Sequence, residues 1–229
     1  MAWFDPFAKE YDAWYETKLG RNVLEIERKL MEGMVQPTPG QTVLDLGAGT
    51  GMFSFWLAEK GLHVTAFDQS TAMLEIARHK AEHSTGSIDF IQGDAHELPF
   101  QDDSFDRVIS VTALEFMDDP KKVLAEAWRV LKPGGRLVVG VLAKHSPWGE
   151  LYRLLGSNPN SLFSKAHLYT EGQIEDLLPV NFRIKKGLYL LPVEEFDEAD
   201  ALDLEDAKQN DQADGAGFYV ICWKKENAK

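Results

Sequence analysis

A short apolar run, Val43-Leu44-Asp45-Leu46, leads into Gly47-Ala48-Gly49-Thr50-Gly51 and then into a helical stretch. Glycines at such a junction let the chain turn tightly and let a ligand approach the backbone, while N–H groups at the helix start point outward. Asp68 follows twenty-one residues after Gly47, at the end of the next apolar run. A carboxylate there can accept both hydroxyls of a ribose, the usual nucleoside anchor in open α/β sheets. Two features narrow the nucleotide. A dinucleotide fingerprint needs glycines spaced G-x-G-x-x-G, and Met52 stands at the third place. Asp45, two residues before the first glycine, disfavours a pyrophosphate and suits a ligand carrying a sulfonium and an ammonium group.

Other residues with chemical potential are scattered. His145 is a general-base candidate because an unperturbed imidazole titrates near neutrality, although a surface histidine without a role is the commoner case. Glu115 either faces a reaction cleft or caps a turn. His79 and His83 have the i,i+4 spacing of metal ligands, but no third ligand is near and a helix C-terminus explains them, so no metal site is expected. Cys222 lies within the apolar run FYVICW and reads as a small core residue.

The elements that must position these residues show as periodicities. Strand-like runs are Thr42–Leu46, His63–Phe67, Ile88–Gln92, Asp106–Val111 and Arg136–Leu142, alternating with helices Met52–Lys60, Thr71–His83 and Pro120–Leu131. That alternation signals a parallel sheet flanked by helices. Ahead of it, Asp5-Pro6 is a helix start signal, with Phe7, Tyr11, Trp14 and Tyr15 on one face; a second helix spans about Gly20 to Val35. Thr170 and Gln173 form a capping box that opens a short helix running to Leu178. Two last strands, near Phe182–Leu190 and Phe218–Trp223, have no clear crossover helix between them and are expected to be antiparallel.

With 229 residues the chain suits one domain. Its longest apolar run, Leu137 to Ala143, is far short of the roughly 20 residues that span a bilayer, so no membrane insertion is expected. The acidic N-terminus is unlike a signal peptide, and a single cysteine fits a reducing compartment; a cytoplasmic location is expected. Of the net charge of −13, most sits between Val193 and Asp214, where ten carboxylates face one base, Lys208. Such a surface repels phosphate backbones and argues against nucleic acid as partner. The acidic segment reads as a solvated insertion loop. Nothing in the pattern selects an oligomeric state.

VLDLGAGTG resembles motif I of the class I S-adenosylmethionine-dependent methyltransferases, and four further segments resemble that family in order and spacing. They are Phe67-Asp68-Gln69-Ser70 with Thr71 to Leu74, Gly93 to Phe100, Phe105-Asp106 through Glu115, and Leu131 to Leu137 with its Lys132-Pro133-Gly134-Gly135 turn. The match covers about Gln41 to Leu142 and is most similar to the branch of ubiquinone and menaquinone biosynthesis methyltransferases. It implies a Rossmann-like doubly wound α/β fold with seven strands in the order 3-2-1-4-5-7-6, the last antiparallel. Residues 1–40 then form a helical cap, 41–142 the cofactor core, 143–169 a substrate lid, and 170–229 a helix and strand pair interrupted by the acidic segment 193–214.

The resemblance also implies roles. Gly47, Ala48, Gly49 and Gly51 lie against the methionine end of S-adenosylmethionine, with Asp45 behind them. Asp68 takes the ribose hydroxyls with Gln69 beside it, Asp94 and Ala95 frame the adenine edge, and Met73 packs on a ring face. Carbonyls of Ser110 and Val111 meet the cofactor's ammonium. Tyr11 either closes an aromatic helix over the cofactor or packs in the core. Aromatics of the lid, Trp148, Tyr152 and Phe163, with His145 and His167 among them, form either an apolar substrate pocket or the lid's own core. The expected activity is in-line methylation of a small molecule, leaving S-adenosylhomocysteine. Such transfer needs alignment and dryness more than a dedicated base. A cofactor-binding regulatory protein without turnover and a nicotinamide oxidoreductase are the rivals; Met52 and the later motifs count against the second.

Overall fold

The computed structural model describes residues 2–193, 196–211 and 213–227. A 3-10 turn at Asp5–Phe7 leads through short helices α1 (Ala8–Tyr11) and α2 (Ala13–Glu16) into the long α3 (Lys18–Val35). Strand β1 (Thr42–Leu46), α4 (Met52–Glu59), β2 (His63–Asp68), α5 (Thr71–Ala81) and β3 (Ser87–Gln92) follow. Then come β4 (Phe105–Val111), α6 (Pro120–Val130), β5 (Leu131–Leu142), α7 (Pro147–Gly156) and α8 (Glu171–Glu175). The chain ends with β6 (Phe182–Gly187), α9 (Glu198–Asn210) and β7 (Phe218–Lys224).

The seven strands pair in the order β3-β2-β1-β4-β5-β7-β6. Strands β1 to β5 run parallel, and β7 is antiparallel to both β5 and β6, as expected. Successive side chains of a strand face opposite sides, so each strand feeds two cores. Val43, Ile109 and Val138 pack with Ile26, Leu30 and Leu57 on one side. Leu44, Val108 and Val139 pack with Val123, Leu124 and Ala127 on the other. Trp148 and Cys222 belong to the first core, so the thiol is indeed a small core residue.

Local chemistry sets most helix starts. The Ser70 hydroxyl accepts from Met73 N–H, Asp119 accepts from Lys122 N–H ahead of Pro120, and Thr170 and Gln173 close the reciprocal box. Helix α3 begins two residues earlier than expected because Thr17 caps it. Asp5 does not cap a helix; its carboxylate accepts from Ala2 N–H and from the Ser70 hydroxyl. Strand β5 starts five residues early, at Leu131, through a register irregularity opposite β4. Helix α8 stops at Glu175, and β6 stops at Gly187, where Leu188 at φ +63 turns the chain.

The acidic segment corrects an expectation. Residues 198–210 form α9, not a loop, with Ala201 and Glu205 buried. Glu198 and Asp200 sit at its positive N-terminal end. Glu205 is fully buried and accepts from the N–H groups of Leu188 and Tyr189 and from Gln209. Lys29–Asp206 and Lys18–Asp197 pairs tie the helix to α3, though exposed pairs contribute little. Glu194 and Glu195 lie outside the described residues. Among the described residues, no helix is long and apolar enough to cross a membrane.

Candidate active site

The carboxyl ends of β1, β2 and β4, with the loop after β3, wall a cavity of about 250 Å³. Gly47, Ala48 and Gly49 form its floor. Gly47 has φ +72, and a Cβ there would stand 2.4 Å from the Ala113 Cβ, so only glycine fits. Asp68 lines the wall at the end of β2, with Oδ1 accepting from Ser70 N–H at 2.7 Å and Oδ2 from Gly49 N–H at 2.8 Å. Burial raises the Asp68 pKa from the usual carboxylate value, and those two N–H donors pull it back down. Each oxygen keeps a further lone pair for a ligand hydroxyl.

Asp45 lines the cavity from beneath; Ser54 Oγ donates to its Oδ2 at 2.6 Å, and burial pushes it up to about 7. Met73, Gln69, Asp94 and Ala95 complete the far end. Asp94 is exposed but fixed: its Oδ1 accepts from the His96 backbone N–H at 2.9 Å and from Nδ1 at 2.6 Å. His96 Nε2 accepts from Asp119 N–H at 3.3 Å, which makes Nδ1 the protonated nitrogen and the donor to Asp94. The His96 bonds hold Asp94 below the usual carboxylate range. His96 thus links Asp94, two residues before it, to Asp119, twenty-three residues on.

Several expected positions fall elsewhere. Gly51 caps α4 at φ +86 without lining the cavity. Ser110 turns its hydroxyl to the Leu46 carbonyl at 2.9 Å, bracing β4 on β1; Val111, Thr112 and Ala113 line the cavity instead. Thr112 is β-branched at φ +46, a strained conformation in the site wall that composition could not reveal. His145 is exposed and lines neither cavity described here. Glu115 is buried with Oε1 accepting from Leu142 N–H at 2.6 Å, and it too lines neither. Burial pushes Glu115 up to about 7. His79 is exposed beside Glu82, and among the described residues no group of three ligands can hold a metal.

A second cavity, of about 370 Å³, adjoins the first. Phe4, Tyr11, Tyr15, Thr112 and Phe116 line both. The apolar face read from Phe7, Tyr11, Trp14 and Tyr15 is therefore a cavity wall, not simply core. From the opposite side come Trp148, Tyr152 and Phe163, whose rings stack in series at 5.8 and 4.6 Å. They pack on one another and also wall the cavity. Glu27 of α3 also lines this space; it falls four residues after Val23 and three before Leu30, on the helix's buried stripe.

The N-terminal segment is latched over the glycine loop. Thr50 Oγ1 donates to Asp12 Oδ1 at 2.5 Å, Lys80 to Asp12 Oδ2 at 2.8 Å, and Ser70 Oγ to Asp5 at 2.6 Å.

The first cavity contains Asp45, Asp68, Asp94 and Asp118 in its wall and neither lysine nor arginine. That donor set suits a cationic nucleoside better than a pyrophosphate, so the residues fit S-adenosylmethionine.

Residues 44–139 match the family model described as a methyltransferase domain. A demethylmenaquinone methyltransferase of Renibacterium salmoninarum is 44% identical over 138 residues, 60% of this chain and 56% of that protein. This chain thus spans little more than half the length of such relatives. An uncharacterized protein of Methanocaldococcus jannaschii is 30% identical over 223 residues, covering 97% of this chain and 98% of that one. A Thermotoga maritima structure described as an S-adenosylmethionine-dependent methyltransferase, possible histamine N-methyltransferase, superposes with a TM-score of 0.77 at 25% identity, covering 98% of each chain. Motif, sheet order and relatives agree: the chain belongs to the class I S-adenosylmethionine-dependent methyltransferase family.

Proposed function

We propose that this protein transfers a methyl group from S-adenosylmethionine to a small molecule held in the second cavity. The observation that carries it is the acid-lined first cavity, free of lysine and arginine, opening through a shared aromatic wall into an apolar one. The bound cofactor supplies a methyl group already activated on a sulfonium. Asp68 is placed to take the ribose hydroxyls, and Asp94, fixed by His96, to accept from the adenine amino group. Met73 and Ala95 are apolar surfaces for the ring, and Val111 and Thr112 present the strand exit to the methionine end. Phe4, Tyr11 and Phe116 separate the transfer point from water, which keeps the electrostatics strong and the acceptor aligned. The absence of a membrane-crossing helix among the described residues and the lone buried thiol support a cytoplasmic setting.

The test is isothermal titration with S-adenosylmethionine, S-adenosylhomocysteine and NADH, followed by a labelled-methyl screen of small acceptors. Micromolar binding of the first two, none of NADH, and transfer of label are expected. Binding without transfer to any acceptor would instead make the protein a cofactor-binding regulator. No binding of either adenosyl ligand to folded protein would overturn the reading.

A further inference from the structure

Glu27 is 3% exposed, yet among the described residues its carboxylate has no hydrogen bond and no ion pair. Its neighbour Arg28 is committed elsewhere, with Nη1 on Glu25 at 2.8 Å and Nη2 on the Met52 carbonyl at 3.2 Å. A buried carboxylate without partners is costly, and proteins carry few. Glu27 borders the second cavity, and no lysine or arginine lines that space. Its other lining groups are mainly aromatic, among them Tyr11, Trp14, Tyr15, Phe116 and Tyr152.

That combination has a chemical meaning. Aromatic faces attract cations, and a desolvated carboxylate attracts them more strongly. An anionic acceptor would meet repulsion from Glu27 and find no basic partner. A neutral one would fill the space and leave the carboxylate unpaired. We propose that the second cavity is the acceptor site and selects an amine borne on a flat apolar group, with Glu27 binding the ammonium and accepting its proton.

The inference rests on the methyltransferase reading and names its acceptor class. A protonated amine has no lone pair and cannot accept a methyl group. Burial, then repulsion from Glu115, pushes Glu27 up to about 8 in the empty cavity. A bound ammonium favours the carboxylate, whose proton leaves to solvent, and the desolvated group stays basic enough for proton transfer from the ammonium to be feasible. The ammonium gives a proton to Glu27 and becomes a neutral amine. Its lone pair then forms the N–C bond as the donor's S–C bond breaks. A methylated ammonium, a neutral thioether and a protonated Glu27 result, so charge and protons balance. Glu27 returns its proton to solvent as the product leaves. Phe4, Tyr11 and Thr112, common to both cavities, mark where the nitrogen meets the methyl group.

The experiment compares two probes of the same shape, phenethylamine and phenethyl alcohol, by calorimetry on the full chain with S-adenosylhomocysteine present. The amine is expected to bind about tenfold or more tightly than the alcohol, the scale of a hydrogen bond to a charged group. Glu27→Gln should bring the two affinities together while S-adenosylhomocysteine affinity stays unchanged, which also shows that the variant is folded. Glu27→Asp, which keeps the charge, should retain the preference. Equal binding of amine and alcohol to the native chain, no amine binding, or a preference that survives in Glu27→Gln overturns the assignment. Failure of S-adenosylhomocysteine to bind the native chain sinks the methyltransferase reading instead, whatever the amine does.

Discussion

Gly49 N–H donates to Asp68 Oδ2 at 2.8 Å, so the glycine loop that floors the cofactor cavity also orients the carboxylate at its rim. With Ser70 N–H on the other oxygen, the Asp68 carboxylate is fixed in this orientation. Asp68→Ala removes the ribose acceptor and frees both donors. S-adenosylhomocysteine should bind about 1.5–3 kcal/mol more weakly, roughly 10- to 150-fold. Unchanged affinity by calorimetry would place the nucleoside elsewhere.

Asp12 joins the N-terminal segment to two parts of the cofactor core at once, Thr50 at the glycine loop and Lys80 on α5. Asp12→Ala cuts both ties while leaving the cavity floor in place. Cofactor release measured by stopped-flow should accelerate, and amide exchange over residues 2–16 should rise. Asp5→Ala, which loses only the Ser70 and Ala2 contacts, should do less. Release rates identical to the native chain in both variants would mean that the segment is no latch.

Three buried carboxylates make stability fall as pH rises. Burial pushes Glu27 up to about 8, and Glu115 and Asp45 up to about 7. An unfolded chain releases these protons near pH 4. Between that point and the folded values, the folded chain binds more protons than the unfolded one, so unfolding becomes easier with increasing pH. Asp94, Asp106 and Glu126 are held below the usual range, and their contribution changes at lower pH than this window. The ligand-free protein should therefore melt lower at pH 8 than at pH 5, by about 2–4 °C for each kcal/mol lost. Glu27→Gln should flatten the slope. A Tm that is level or rises across this range would contradict the burial of these groups as ionisable carboxyls.

The cofactor half of the site was legible because its information is local. Motif I, the acid closing β2 and the acid after β3 each sit at a strand's carboxyl end, and the parallel topology brings those ends together. The second cavity, proposed for the acceptor, was not, because it is assembled from distant parts. Tyr11, Glu27, Phe116 and Tyr152 come from four separate segments, and no spacing rule relates them. One signal was available: Glu27 shares the apolar stripe of α3 with Val23 and Leu30, a charge where periodicity asks for a hydrophobe. Thr112 left no trace, since its strained backbone follows from β4 ending against Gly140, whose carbonyl accepts the Thr112 N–H.

The same oversight explains the acidic segment, and Glu205 gives the prediction that tests its correction. The segment's ten carboxylates include one, among the described residues, that is buried; Ala201 and Glu205, four apart, share the face of α9 turned to the protein. Leu188 is held at φ +63, costly for a bulky side chain, and Glu205 accepts the N–H groups of both Leu188 and Tyr189 at that turn. Glu205→Ala leaves those donors without partners at a cost of about 2–5 kcal/mol, which lowers the Tm by roughly 5–15 °C. Asp203→Ala, exposed on the same helix, should stay within about 0.5 kcal/mol of the native chain. Because no residue of α9 lines either cavity, S-adenosylhomocysteine affinity well below the Tm should be unchanged in both. Equal melting of the two variants would return the segment to a solvated surface, and a selective loss of cofactor affinity would give α9 a role at the site.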